Sequence, residues 1–199
     1  DAVRTQWAGK NGGPAAAFAS ETLAAVDDVD PDAVAVSFPL LGSLIAAEQR
    51  GLPTAALVPN VVSLPAEGMP PFGTGLLPPT NALGRLRDRA LNGFVERLWN
   101  KGLPDLNRVR ADHALDPLDR LLAQYDRATR VLALTGACFD FPAALPDNVR
   151  YVGPQLDDPH WAEPWSPPPG DDPLVLVALS TTSMDHLAPK FRPRIMPVG

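Results

Sequence analysis

Apolar residues recur along this chain at helical spacing in some segments and as short continuous runs in others. Segment 14–27 is alanine-rich, with Phe18, Leu23 and Val26 at helical spacing and a proline at a tolerated first-turn position, and predicts a helix. After the turn Asp30-Pro31-Asp32, the run Ala33-Val34-Ala35-Val36-Ser37-Phe38 is short, apolar and bounded by turn signals. That pattern predicts a strand buried on both faces. A second helix follows from about Pro39 to Arg50, closed by Gly51, and Pro53-Thr54-Ala55-Ala56-Leu57-Val58 predicts another buried strand. Strand, helix, strand in this order implies a right-handed crossover and parallel pairing.

Pro59–Thr80 breaks the pattern with six prolines and with glycines at 68, 73 and 75. Its apolar residues, among them Val61, Val62, Leu64, Met69 and Phe72, are too many for a solvated linker, so a partly ordered loop beside a pocket is expected. From Asn81, residues Leu83, Leu86, Ala90, Leu91, Phe94, Val95 and Leu98 mark a helix over 81–101, broken at Gly102 and Pro104. Its apolar stripe is expected to face the core, with acceptor contacts through Phe94 or Trp99 as the alternative. A further helix spans roughly Pro104 to Leu115, and Asp116-Pro117-Leu118-Asp119 reads as the capped start of another. Arg130–Leu134 and Arg150–Val152 return to the sheet. The fold class is therefore α/β, a Rossmann-like parallel sheet with flanking helices.

Seven prolines between Pro154 and Pro173 mark a semi-rigid linker, after which Leu174 to Leu179 predicts a new strand. The chain divides into a domain at 1–153, a linker at 154–173, and at 174–199 one strand of a second domain with an atypical tail.

Composition sets limits. With 45% hydrophobic residues in 199, the chain can bury a core. Seventeen basic residues against 23 acidic ones, in no long run, argue against a nucleic-acid surface. The single cysteine, Cys138, excludes an internal disulfide and any multi-cysteine zinc site, which fits a cytoplasmic protein, and a buried structural thiol is expected. No apolar run reaches the roughly 20 residues that span a bilayer, so stable membrane insertion is not expected. His113, His160 and His186 have no metal-ligand spacing, so no metal is expected.

Four segments carry a resemblance. They are Val34-Ala35-Val36-Ser37-Phe38-Pro39-Leu40-Leu41-Gly42 with Gly51-Leu52-Pro53-Thr54; Pro59-Asn60 with Gly68-Met69-Pro70-Pro71-Phe72-Gly73; Tyr151-Val152-Gly153-Pro154; and Pro173–Val177 running into Ser180-Thr181-Thr182. In order and spacing they resemble the inverting glycosyltransferases that use UDP- or dTDP-sugars and adopt the GT-B fold of two facing Rossmann-like domains, above all the bacterial natural-product and macrolide type. The resemblance implies a partial acceptor-binding domain, followed by the first strand of the donor-binding domain. It implies transfer of a sugar from a nucleotide-sugar to a hydroxyl of an apolar small molecule, inverting and metal-independent, with the nucleotide-sugar as co-substrate and no cofactor.

By the same resemblance the general-base histidine is expected upstream of Asp1 and the donor signature beyond Gly199. No catalytic residue is therefore assigned within the chain, and the chain alone is expected to be inactive. Ser37 stands near the place where many relatives have the aspartate that orients that histidine. Ser180, Thr181 and Thr182, at a strand end, are candidates to hold the donor diphosphate, whose charge grows as it departs; the plainer alternative is a helix cap or turn. Met69, Phe72 and Phe94 are candidates to line the acceptor pocket; the alternative for the 59–80 loop is that its apolar residues fill its own core. A noncatalytic acceptor-binding or remnant protein is the alternative to a transferase, and a sugar-nucleotide epimerase is a third reading. An exposed sheet edge or uncovered face would offer a route to a homodimer.

Overall fold

The computed structural model describes residues 13–157 and 166–167. Within them the chain runs α1 (Gly13–Val29), β1 (Val34–Ser37), α2 (Leu41–Gln49), β2 (Thr54–Val58), α3 (Ala82–Trp99), α4 (Leu103–Asp112), β3 (Arg130–Ala133) and β4 (Val149–Tyr151). The four strands form one sheet in the order β1-β2-β3-β4, every pair parallel. Register aligns Val36, Ala56, Val131 and Val149 across it. This is the Rossmann-like α/β sheet with flanking helices that the sequence pattern predicts.

The described residues seal only one face of the sheet. Val36, Ala56, Val58, Val131, Ala133 and Val149 are all at most 4% exposed and pack with α1, α2, α4 and the 3-10 segment Leu121–Arg127. Because side chains alternate along a strand, the next residues point the other way. There Ala35, Ser37, Arg130 and Arg150 are exposed and Ala55, Leu57 and Leu132 half-buried. The expected burial of β1 on both faces is thus corrected: of its four residues only Val36 is buried.

Small residues let α1 lie close on α2. Ala15 and Ala19 are buried at their contact, and a Cβ on Gly42 would collide with the Ala15 carbonyl oxygen. Polar ties fix the approach: the Thr22 hydroxyl donates to Ser43 Oγ at 2.8 Å, and Arg50 pairs with Asp27 at 2.7 Å. A buried ionic network then locks α2 to α4. Arg110, 1% exposed, donates through Nη1 and Nη2 to Glu48 at 2.6 and 3.0 Å, through Nη1 to Gln124 Oε1 at 2.7 Å, and through Nε to the Asp116 carbonyl at 2.7 Å. Gln124 Nε2 completes it by donating to Glu48 at 2.9 Å. Burial alone would raise the Glu48 carboxyl, but the hydrogen bonds from Arg110 and Gln124 outweigh it and hold the group below its usual 4.5.

The break expected at Gly102 and Pro104 is present: α3 ends at Trp99, the 3-10 turn Asn100–Gly102 follows, and α4 opens at Leu103 with Pro104 in its first turn, where no intrahelical N–H is needed. Two further expectations change. No α-helix opens at Asp116; regular structure resumes only at Leu121 and is 3-10, because the Asp116 carbonyl is taken by Arg110 and the Leu118 backbone by Asn107. The stripe on α3 is not core. Leu83, Leu86 and Phe94 are 75%, 61% and 64% exposed, and Asp88 is the one buried residue of that helix. Helical periodicity reports that a face is apolar, not that something covers it.

Candidate functional site at the carboxyl edge of the sheet

In open α/β sheets, ligands bind where the strands end. Here the carboxyl ends of β1, β2, β3 and β4 deliver Phe38, Pro59, Leu134 and Val152 to one edge. After β1 the chain is fixed by Tyr125, whose ring stacks on Phe38 at 4.3 Å with planes 7° apart. The Tyr125 hydroxyl donates to the Phe38 carbonyl at 2.5 Å, and its deep burial pushes the phenol far above its ordinary value. It therefore stays neutral and acts as a post. At β4 the chain turns away at Gly153, whose φ of +80° suits glycine and whose N–H donates to the Thr135 carbonyl at 3.3 Å.

The loop between β2 and α3 folds over this edge. Val62 and Leu64 anchor it in the core at 1% and 7% exposure, which accounts for its apolar content. With the segment after β3 it encloses an apolar groove of about 270 Å³, whose walls include Val61, Val62, Met69, Phe72, Asp140 and Phe141. Asp140 is the carboxylate of that wall. Its Oδ2 accepts the Val62 N–H at 2.8 Å and the Tyr151 hydroxyl at 2.9 Å, while Oδ1 accepts the Phe141 N–H at 3.0 Å. Partial burial, then the hydrogen bond and negative charge of Asp140, push the Tyr151 phenol up to about 12.

A second groove, about 420 Å³, lies at the start of α3 between Leu77–Asn81 and Leu83, Gly84 and Arg87. Its arginine is already engaged, with Nε on Asp88 at 2.7 Å and Nη2 on the Leu77 carbonyl at 3.1 Å. Asn81 caps the helix by accepting the Gly84 N–H at 2.8 Å. Nothing in this groove is arranged for proton transfer.

Of the acceptor-pocket candidates, Met69 and Phe72 come together in the groove at the sheet edge, Met69 buried and Phe72 56% exposed. Phe94 does not join them: it projects from α3 and lines neither groove. Ser37 ends β1, exposed on the open face. Asp1, the residue ahead of which the general-base histidine is expected, lies outside the described residues. So do Ser180, Thr181 and Thr182, the strand before them and most of the predicted linker. Cys138 is exposed on the 3-10 turn Ala137–Phe139 rather than buried. His113 sits at the end of α4, its Nδ1 2.9 Å from Gln49 Oε1, and does not line either groove. Among the described residues no three His, Cys, Asp or Glu side chains cluster as metal ligands, and no helix is long and apolar enough to cross a membrane.

The parallel sheet, with an apolar groove at its carboxyl edge, defines the class as an α/β domain of Rossmann-like design. No protein-family model matches the chain. It is similar to 4'-demethylrebeccamycin synthase of Lentzea aerocolonigenes, at 27% identity over 183 residues, which cover 86% of this chain and 43% of that protein. The chain thus spans under half the length of the curated relative it matches.

Proposed function

We propose that this chain supplies the acceptor-binding part of a GT-B glycosyltransferase. The enzyme would move a sugar from a UDP- or dTDP-linked donor to a hydroxyl of an apolar small molecule, with inversion and without a metal. One observation carries the reading: the similarity to a synthase named for 4'-demethylrebeccamycin extends across 86% of the chain, and that chain folds into a parallel sheet with an apolar groove at its ligand edge.

In this reading Met69 and Phe72 bind the apolar body of the acceptor by removing its surface from water. The groove holds it at the strand ends, where the reacting hydroxyl meets the donor; fixing two reactants in register removes much of the entropic part of the barrier. The groove's one carboxylate, Asp140, is committed to three hydrogen bonds, and no histidine lines the groove. Proton abstraction therefore falls to a group outside it, and a histidine upstream of Asp1 is the proposed base. Ser180, Thr181 and Thr182 are proposed to hold the departing diphosphate through hydroxyl and backbone donors, an interaction that strengthens as charge builds on the leaving group.

The test is turnover and binding by the purified 199-residue chain. It is expected to bind apolar hydroxylated compounds at the groove, to bind UDP weakly, and to transfer no sugar. Sustained transfer from a UDP- or dTDP-sugar, or tight calorimetric binding of UDP, would refute the division of labour proposed.

A further inference from the structure

The groove's shape depends on a loop with no regular secondary structure over most of its length, so something must hold that loop to the sheet. One carboxylate joins the loop, its own turn and β4. Asp140 Oδ2 receives the Val62 N–H of the loop and the Tyr151 hydroxyl of β4, while Oδ1 receives the Phe141 N–H of its own turn. Val62 is 78 residues from Asp140 in sequence, and Tyr151 is 11. A second tie lies alongside, where Ala144 N–H donates to the Glu67 carbonyl at 3.2 Å in an isolated antiparallel bridge. Hydrogen bonds to a charged acceptor are about twice as strong as neutral ones, so the Asp140 bonds dominate the pair.

We propose that Asp140 and Tyr151 form a clasp that fixes the 59–80 loop against the carboxyl edge of the sheet, making Asp140 a positioning residue for recognition of the apolar acceptor. The ligand aspect of this inference rests on the acceptor reading of the groove. Asp140 acts by holding Val61, Val62 and the loop beyond them so that Met69, Phe72 and Phe141 line one groove. Tyr151 acts by orienting the carboxylate from the rigid side: its strand is paired to β3 through Val131, Leu132 and Ala133. The elevated phenol fits this role, because it keeps the Tyr151 proton in place as a donor.

The test is amide hydrogen exchange by NMR on the 199-residue chain, comparing wild type with Asp140→Ala, Asp140→Asn and Tyr151→Phe. Asp140→Ala is expected to speed Val62 exchange roughly 10- to 100-fold while the Val131 amide in the sheet core keeps its protection. Asp140→Asn, which retains an acceptor oxygen, restores most of the protection, and Tyr151→Phe falls between. In a second arm, 2-naphthol serves as an apolar hydroxylated probe, titrated while the Met69 and Gly73 amides are followed. Its Kd is expected to rise about tenfold in Asp140→Ala. Unchanged Val62 exchange, loss of Val131 protection in step with it, or unaltered naphthol affinity despite a loosened Val62 each overturn the proposal. A wild-type chain whose groove amides ignore naphthol overturns the acceptor reading instead, and Val62 exchange still decides the clasp.

Discussion

The two faces of the sheet are built from the same strands and have opposite fates. On one, Val36, Ala56, Val131 and Val149 meet four helical segments and exclude water; on the other, residues one step along each strand stay exposed or half-buried. All-parallel sheets are almost always covered on both faces. The difference teaches that stability in these 145 contiguous residues is concentrated on one side, and that the open side belongs to interactions the described residues do not make among themselves.

The sharpest way to break the comparison is to attack the sealed side at its ionic network. Arg110→Ala leaves Glu48 and Gln124 without their buried partner and is expected to cost about 3–5 kcal/mol, read by urea denaturation. Next comes a same-residue contrast. Leu106→Ala, at 1% exposure in the core, should cost about 2–5 kcal/mol, whereas Leu132→Ala on the open face should cost under about 1 kcal/mol. Equal losses would dissolve the distinction between the faces. Gly42→Ala should cost about 1–3 kcal/mol, because its methyl needs α1 and α2 to separate. The smallest effect belongs to Arg50→Ala, which removes an exposed pair and should cost about 0–1 kcal/mol.

Acid sharpens the same contrast. The folded pKa of Glu48 lies below 4.5, so its contribution is fully present above about that pH and is lost as pH falls through the lower folded value. Glu48→Gln should therefore flatten the decline in stability below pH 4.5, while substitutions on the open face leave its slope unchanged.

Much of the fold is legible in the sequence because it rests on local periodicity. Helix 14–27 appears as α1, the runs at 33–38 and 53–58 as β1 and β2, and the pieces at 130–134 and 150–152 as β3 and β4, each within a few residues. What fails depends on partners distant in sequence. The stripe Leu83, Leu86, Phe94 reads as core because amphipathicity is local whereas coverage is not. Cys138 reads as buried because cysteine usually is, yet it rides an exposed turn.

The site is half legible. Met69 and Phe72 stand out as apolar residues in a loop where a linker should be polar, and they do meet in a groove. Asp140 does not stand out: a lone aspartate between two phenylalanines carries no periodic signal, and its partners come from another loop and another strand. A turn that places an acid between aromatic residues just after a buried strand is the clue that could raise it.

The connection from β2 to β3 has a kinetic consequence. β1 and β2 are joined through the single helix α2, across residues 38–53, but β2 must wait for residues 59–129 before β3 exists to pair with it. Closing a loop about four times longer costs roughly 1 kcal/mol more chain entropy, so the α1-β1-α2-β2 unit should assemble first and β3 should add to a preformed edge. Pulse-labelled amide exchange during refolding should protect Val36 before Val131. The parallel sheet would then grow in the order in which a ribosome delivers its strands.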